Sequence, residues 1–189
     1  MIPKVKEGAG FQYPLDAKMD ESEKQRRRAA KRAHLASDPV YRELHLPPSP
    51  ITIERLGSTP DDDVEDLIVK EVARRCGGTS VSELAALGAL SPSVRAIFAT
   101  SLLEAEVMNG GFDQFAFNQQ SAIWRMAIEG YVELGLSAAE AIATKALDAF
   151  ESSGLLEPLE RSFDSMWAEI KSEKQRLIRR HPDRFTIGV

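Results

Sequence analysis

Helix-start chemistry recurs through the last two-thirds of this chain, and each start is followed by apolar residues at helical spacing. Thr59-Pro60-Asp61-Asp62 sets out a capping hydroxyl, a proline for the first helical position and acids for the first turn. Leu67, Ile68, Val72 and Ala73 then share a face, and Gly77-Gly78 ends the segment. Ser80 caps a short helix through Leu87. Ser91-Pro92 repeats the opening, with Val94, Ile97, Phe98, Leu102 and Ala105 as the apolar face, and this helix is expected to end near Asn109. Phe112 to Asn118 reads as a short helical turn. Ser121 starts a helix with Ile123, Trp124, Ala127, Ile128 and Tyr131 inward, and Gly135 stops it. Ser137 opens an Ala-rich helix that stops near Gly154. The last helix runs from about Leu156 to Arg180, with Phe163, Met166, Trp167, Ile170 and Leu177 as its stripe. Pro158 falls in its first turn, where proline is tolerated, and Pro182 ends it. Strand alternation is confined to Ile51 and Ile53. The expected fold class is all-α, a compact bundle of about six helices around one core.

The first fifty residues read differently. Residues 1–18 show no periodicity, and 19–36 place acids before bases without the large apolar residues that stabilise a helix. Leu46-Pro47-Pro48-Ser49-Pro50 is a stiff extended linker. The expected organisation is a basic, partly disordered or helical extension with a Pro-rich linker over 1–50, and a helical domain over 51–189. The net charge of −5 conceals this division. Residues 1–50 carry ten Lys/Arg and seven Asp/Glu, residues 51–170 eight and twenty, and residues 171–189 six and two. An acidic body is flanked by two basic ends. That matters because fields are screened beyond about 8 Å at physiological salt.

With 43% apolar residues among 189, the chain can bury a real core. No apolar run approaches the roughly 20 residues a membrane span needs. The start MIPKVKEGAG lacks the apolar centre of a signal peptide, and the single Cys76 forms no internal disulfide or zinc cluster. A cytoplasmic protein without membrane contact is expected. No histidine lies between His45 and His181, so no metal, cofactor or catalytic centre is expected.

Three features carry binding chemistry. Asn109-Gly110-Gly111 is a backbone break that reads as a helix end or as part of a binding concavity. Its spacing is not that of a dinucleotide loop. Around it, Glu104, Glu106, Asn109, Asp113 and Gln114 could line a pocket. Phe112 and Phe115 share a face and point to a core, while Gln114 and Asn118 are spaced for side-chain hydrogen bonds. The third feature is acidic. Glu129 and Glu133 are like charges one turn apart; Glu157, Glu160 and Asp164 share a face, as do Glu140, Asp148 and Glu151; and Asp61, Asp62, Asp63 and Glu65 are denser still. Like-charge neighbours cost about 0.2–0.5 kcal/mol each. Such strips are solvated faces, or they attract a basic partner as nucleic-acid phosphates do. Direct nucleic-acid contact is expected only through Lys24–Arg32, which reads otherwise as a solubilising tail or as a segment that folds onto the acidic body.

The segment Glu104-x-Glu106-Val107-x-Asn109-Gly110-Gly111-Phe112-x-Gln114-Phe115-x-x-Asn118 resembles the signature of the DMP19-like family, also known as domain of unknown function 4375. The resemblance extends over about residues 97–150. It implies an all-helical fold and a non-enzymatic role, since one member is a dimeric acidic mimic of DNA that sequesters a helix-turn-helix regulator. The expected function is therefore a binding protein for a basic or DNA-binding protein, with a homodimer as one assembly. Asp61, Asp62, Asp63, Glu65, Glu129, Glu133, Glu140, Asp148, Glu157, Glu160 and Asp164 are the surface candidates. The signature residues are expected to build the fold. The alternatives are an immunity or antitoxin protein that neutralises a basic toxin, and a ligand-binding protein or enzyme with a pocket at the Asn-Gly-Gly turn.

Overall fold

The computed structural model describes residues 46–76, 85–119 and 121–188. The chain divides into two units, Met1–Leu46 and Pro47–Val189. The basic segment Lys24–Arg32, the Gly77-Gly78 stop and the helix start at Ser80 lie outside the described residues. The described residues of Pro47–Val189 form an all-α unit. Its helices are α1 (Ile53–Ser58), α2 (Asp61–Cys76), α3 (Pro92–Asn118), α4 (Ser121–Leu134), α5 (Ser137–Glu151) and α6 (Glu157–Arg180), followed by a 3-10 turn at Pro182–Phe185. Residues 85–88 are also helical. Among the described residues there is no strand. Ile51 and Ile187 form one antiparallel bridge, with amide-to-carbonyl distances of 2.9 and 3.0 Å.

The core follows the apolar stripes. Val64, Ile68 and Val72 of α2 meet Val94, Ile97, Leu103 and Val107 of α3 and Ile123, Trp124, Ala127 and Tyr131 of α4. Phe163, Ile170 and Ile178 of α6 close it. α3 and α4 form the most extensive helix pair. Ser91 caps α3 as expected, its hydroxyl accepting from the Val94 amide at 3.4 Å with Pro92 in the first turn. Gly135 stops α4 with a φ of +73°.

Three local expectations differ. α1 carries no sequence signal strong enough to predict it. Thr52 caps it, accepting from the Arg55 amide at 3.1 Å. Thr59 closes α1, its hydroxyl donating to the Arg55 carbonyl at 2.7 Å, and α2 starts at Asp61, beyond the proline expected at its first position. α5 ends at Glu151, near Gly154 as expected, and the left-handed residue beyond it is Ser153 (φ +57°). On α3 the buried face includes Leu103, Glu104 and Val107, while Ala105 is exposed.

A buried carboxylate clasps the two ends of this unit. Glu71 of α2 is fully buried. It accepts from the Ser49 amide and hydroxyl, both at 2.9 Å, from Arg55 at 2.9 Å and from Arg74 at 2.6 Å. Arg75 adds a longer contact of 3.5 Å and donates onward to the Ser49 and Gly188 carbonyls. Thus one carboxylate joins the extended entry segment to α2, and Arg75 ties in the last described residue. Burial alone would raise the Glu71 carboxyl. The Ser49 amide, Arg55, the Ser49 hydroxyl and Arg74 outweigh it and hold the group below the ordinary carboxylate range.

A carboxyl depressed in the folded state contributes stability above its unfolded pKa and loses it as pH falls toward the folded value. Glu71→Gln leaves three partly buried guanidinium groups without their anion and should cost about 1–3 kcal/mol near neutral pH in denaturant titrations. The gap to the parent protein should narrow as pH falls below the ordinary carboxylate range. A gap that stays constant with pH would show that Glu71 acts through shape and not charge.

Candidate functional site

α3 bends at the Asn-Gly-Gly break and does not stop there. Gly110 (φ −163°) and Gly111 (φ +81°, ψ 179°) leave helical geometry, and the helix resumes at Phe112. The two glycines are required for different reasons. Gly111 occupies the left-handed region, and a Cβ there would stand 2.3 Å from Glu160 Oε1. Gly110 has an extended φ open to any residue, but its Cβ would stand 1.9 Å from Gln114 Oε1. The restarted segment needs a cap for its first amides. Glu160 of α6 supplies it from 48 residues away, accepting from the Phe112 amide at 2.9 Å.

The bend is also braced from the outside. Glu106, before it, accepts from Gln114 Nε2 and Asn118 Nδ2, both at 2.8 Å. The Gln114 amide, with help from Asn118, holds the Glu106 carboxyl below its usual range. Phe112 and Phe115 are buried as expected. Phe112 stacks on Trp124 (centroids 5.7 Å apart) and meets Phe163 edge-on, while Phe115 meets Trp124 edge-on at 5.3 Å. Phe117 points to solvent, 90% exposed. The pocket residues proposed from sequence do not converge. Glu104 faces the core, Glu106 is engaged by Gln114 and Asn118, and Asp113 is exposed. Asn109 lines a shallow surface cleft with Met108, the two glycines, Glu160 and Asp164.

Behind the bend lies a network that the apolar patterns did not reveal. Lys174 of α6 is fully buried. Its ammonium donates to Glu104 of α3 at 3.0 and 2.8 Å, to Ser101 of α3 at 3.1 Å, and to Glu65 of α2. Tyr131 of α4 donates to Glu104 Oε1 at 3.1 Å. Burial pushes the Glu104 carboxyl up, and Lys174 only partly offsets this. Burial, reinforced by Glu104, raises the Tyr131 phenol well above its ordinary value. Burial also disfavours the Lys174 ammonium, but Glu104 and Glu65 outweigh it and raise its pKa. In this arrangement the ammonium donates to Ser101, and an ammonium has no lone pair with which to take a proton from the hydroxyl. Among the described residues no group of three His, Cys, Asp or Glu side chains could hold a metal ion. The cation between Glu65 and Glu104 is Lys174 itself.

The acidic candidates divide by their surroundings. Glu65 is turned inward to Lys174, and Glu160 caps the restarted helix. Asp61 accepts from Arg179 at 2.6 Å, and Glu133 accepts from Ser93 and Arg184, both at 2.8 Å. Ser93 first, then Arg184, hold the Glu133 carboxyl below its usual range. Glu140 accepts from the Thr144 hydroxyl, and Glu157 pairs with Arg161 on an exposed turn. Asp62 stands 3.8 Å from Lys171. Asp63, Glu129, Asp148 and Asp164 are exposed and form no ion pair among the described residues. Glu129 shares a cleft with Glu133 and Arg95. The basic C-terminal segment is therefore folded against the acidic body, through Lys171, Lys174, Arg179 and Arg184.

The braced bend coincides with the signature, and the DMP19-like protein family matches residues 88–185, a little over half of the chain. The chain belongs to the DMP19-like family. The DMP19-like match spans α3 through the 3-10 turn, so it takes in the bend, Glu160 and Lys174 together. No curated protein and no solved structure matches the chain. No helix among the described residues is long and apolar enough to cross a membrane.

Two substitutions test this geometry. Gly111→Ala should destabilise the protein by about 1–3 kcal/mol, from the left-handed backbone and the displaced Glu160 cap. Restored stability in Gly111→Ala combined with Glu160→Ala would assign the larger share to the clash. Lys174→Met should cost about 3–5 kcal/mol at neutral pH, because Glu104 loses its counter-ion in the core. Pairing it with Glu104→Gln should recover part of that loss, and calorimetric melting would show it. If the double variant is no better than the single one, the pair is not coupled.

Proposed function

We propose that this protein is a non-enzymatic binding protein whose acidic surface recognises a basic, DNA-binding protein by presenting carboxylates in place of phosphates. The observation that carries the reading is a surplus of negative charge after internal pairing. Lys171, Lys174, Arg179 and Arg184 meet Asp62, the Glu65–Glu104 pair, Asp61 and Glu133, yet Asp63, Glu129, Asp148 and Asp164 remain exposed without an ion pair among the described residues. Exposed carboxylates held on rigid helices cost self-repulsion that a cationic partner relieves. Membership of a family that includes a DNA mimic supports the same reading.

Of the residues expected to contribute, Asp61 and Glu133 are exposed but paired with Arg179 and Arg184, and Asp62, Asp63, Glu129, Asp148, Glu157 and Asp164 form the proposed surface. Glu65 and Glu160 serve it indirectly, by holding the helices that carry it. Catalysis has less support. The one buried serine–lysine contact is disarmed by its carboxylates, and Glu104, Glu106 and Asn109 face three different environments.

The test is capture on the immobilised full chain, with duplex DNA as competitor. A mimic should retain a DNA-binding protein that is released both by DNA and by raising salt from about 50 to about 200 mM, with roughly tenfold or greater weakening. Combined Glu129→Lys and Asp148→Lys should weaken capture further while leaving stability within about 0.5 kcal/mol of the parent. Capture indifferent to DNA and to salt would overturn the reading.

A further inference from the structure

A groove between α2, α3 and α6 combines a largely apolar floor, into which Glu65, Ser101 and Glu104 also reach, with an acidic rim. Val69, Met108 and Trp167 provide apolar surface, and Asp62 and Asp66 stand one turn apart on α2 at its edge. Met108 is 45% exposed and Trp167 37%, although both are large side chains that a helix normally turns inward. One cation already approaches this groove. Lys171 Nζ lies 5.8 Å from the centre of the Trp167 ring and 3.8 Å from Asp62 Oδ1. Both distances are at the long end for their interactions. The ammonium pairs with Asp62 and makes no ion pair with Asp66 among the described residues.

We propose that this groove is the docking site for an arginine-bearing amphipathic segment of a partner protein. It rests on the reading of a basic partner and gives that partner an address. An apolar side chain covers Met108 and Trp167. A guanidinium lies over the indole between Asp62 and Asp66 and takes the place of Lys171. Arginine fits this arrangement better than lysine, because its planar fork can bond two carboxylates while its face stacks on an indole. Tryptophan and arginine are also the residues that dominate binding energy at interfaces. Charge complementarity selects the occupant: the floor would accept any apolar side chain, but the two aspartates on the rim favour a cationic one.

The probe is a short amphipathic peptide of arginine and leucine, titrated into the full chain. The readout is the indole N–H resonance of each tryptophan. Trp167 lies in the groove, and Trp124 is buried with its N–H on the Ala143 carbonyl at 3.2 Å, so it serves as an internal reference. The Trp167 signal should move on titration and the Trp124 signal should not. Lys171→Gln should tighten binding several-fold by removing the internal competitor. Lys145→Gln, which removes the same charge from an exposed position on α5, should tighten it much less. Combined Asp62→Asn and Asp66→Asn, which keeps the Trp167 reporter, should weaken binding about tenfold.

An unmoved Trp167 signal, or equal effects of Lys171→Gln and Lys145→Gln, would overturn the proposal. So would a Trp167 signal that moves with protein concentration alone, which assigns the groove to a second copy. A signal that moves when Arg26, Arg27 and Arg28 are replaced, without peptide, assigns it to the chain's own basic segment and also overturns the proposal. DNA-competed capture without a Trp167 shift leaves the basic-partner reading intact and removes the groove from it. Peptide binding in the groove without DNA-competed capture does the reverse.

Discussion

The position of one buried ammonium sets the arrangement of the helices. Lys174 reaches from α6 to Glu65 on α2 and to Ser101 and Glu104 on α3, while Tyr131 on α4 completes the Glu104 oxygen. A charge removed from water is tolerated only when its partners stand at hydrogen-bonding distance. Apolar side chains tolerate small slips along a helix; an ammonium bonded to four oxygens does not. A shift of α6 by one turn relative to α2 or α3 would leave Lys174 without its anions. Apolar burial drives the helices together, and this network selects one register among the packings that burial alone would permit. Such a role for a buried polar group is best established where it excludes other registers.

Much of the helical frame is legible in the sequence because its causes are local. Ser91-Pro92, Gly135 and Pro182 act within a turn of where they stand, and the stripes of α4 and α6 follow the helical period. The three buried charges were hidden by the same reasoning. Glu71, Glu104 and Lys174 occupy stripe positions, yet a search for apolar periodicity passes over them as surface residues. On α6 the buried series is Phe163, Ile170, Lys174 and Ile178, which a search for apolar residues reads as passing from Ile170 to Leu177. The usable signal is a charged residue in phase with a stripe on one helix and its opposite in phase on another. α3 was misread as ending at Asn109 because its continuation depends on Glu160, a cap 48 residues away that no local pattern contains.

Segment charges were legible as sums but not as a surface. The six cations of residues 171–189 suggest a basic end set against an acidic body. In the fold, four of them meet carboxylates of α2, α3 and α4. The surface potential is therefore set by which acids those cations leave over. Asp61 and Asp62 are neighbours in sequence, yet Arg179 holds the first at 2.6 Å while Lys171 only approaches the second at 3.8 Å. Adjacent residues thus contribute unequally to any attraction for a cationic partner.

The signature segment and the candidate surface are connected through α3. Glu104 faces inward to Lys174, and Met108, one turn later, faces outward onto the groove beside Trp167. The bend at Gly110-Gly111 follows immediately and turns Phe112 and Phe115 into the core against Trp124. A straight helix would carry the segment beyond Asn109 past α6, and Glu160 could not reach the Phe112 amide. α6 would then lose the contact that fixes its N-terminal half, from which Asp164 and Trp167 project. The signature residues thereby bear on the proposed surface only through position: they help hold the part of α6 on which Asp164 and Trp167 stand.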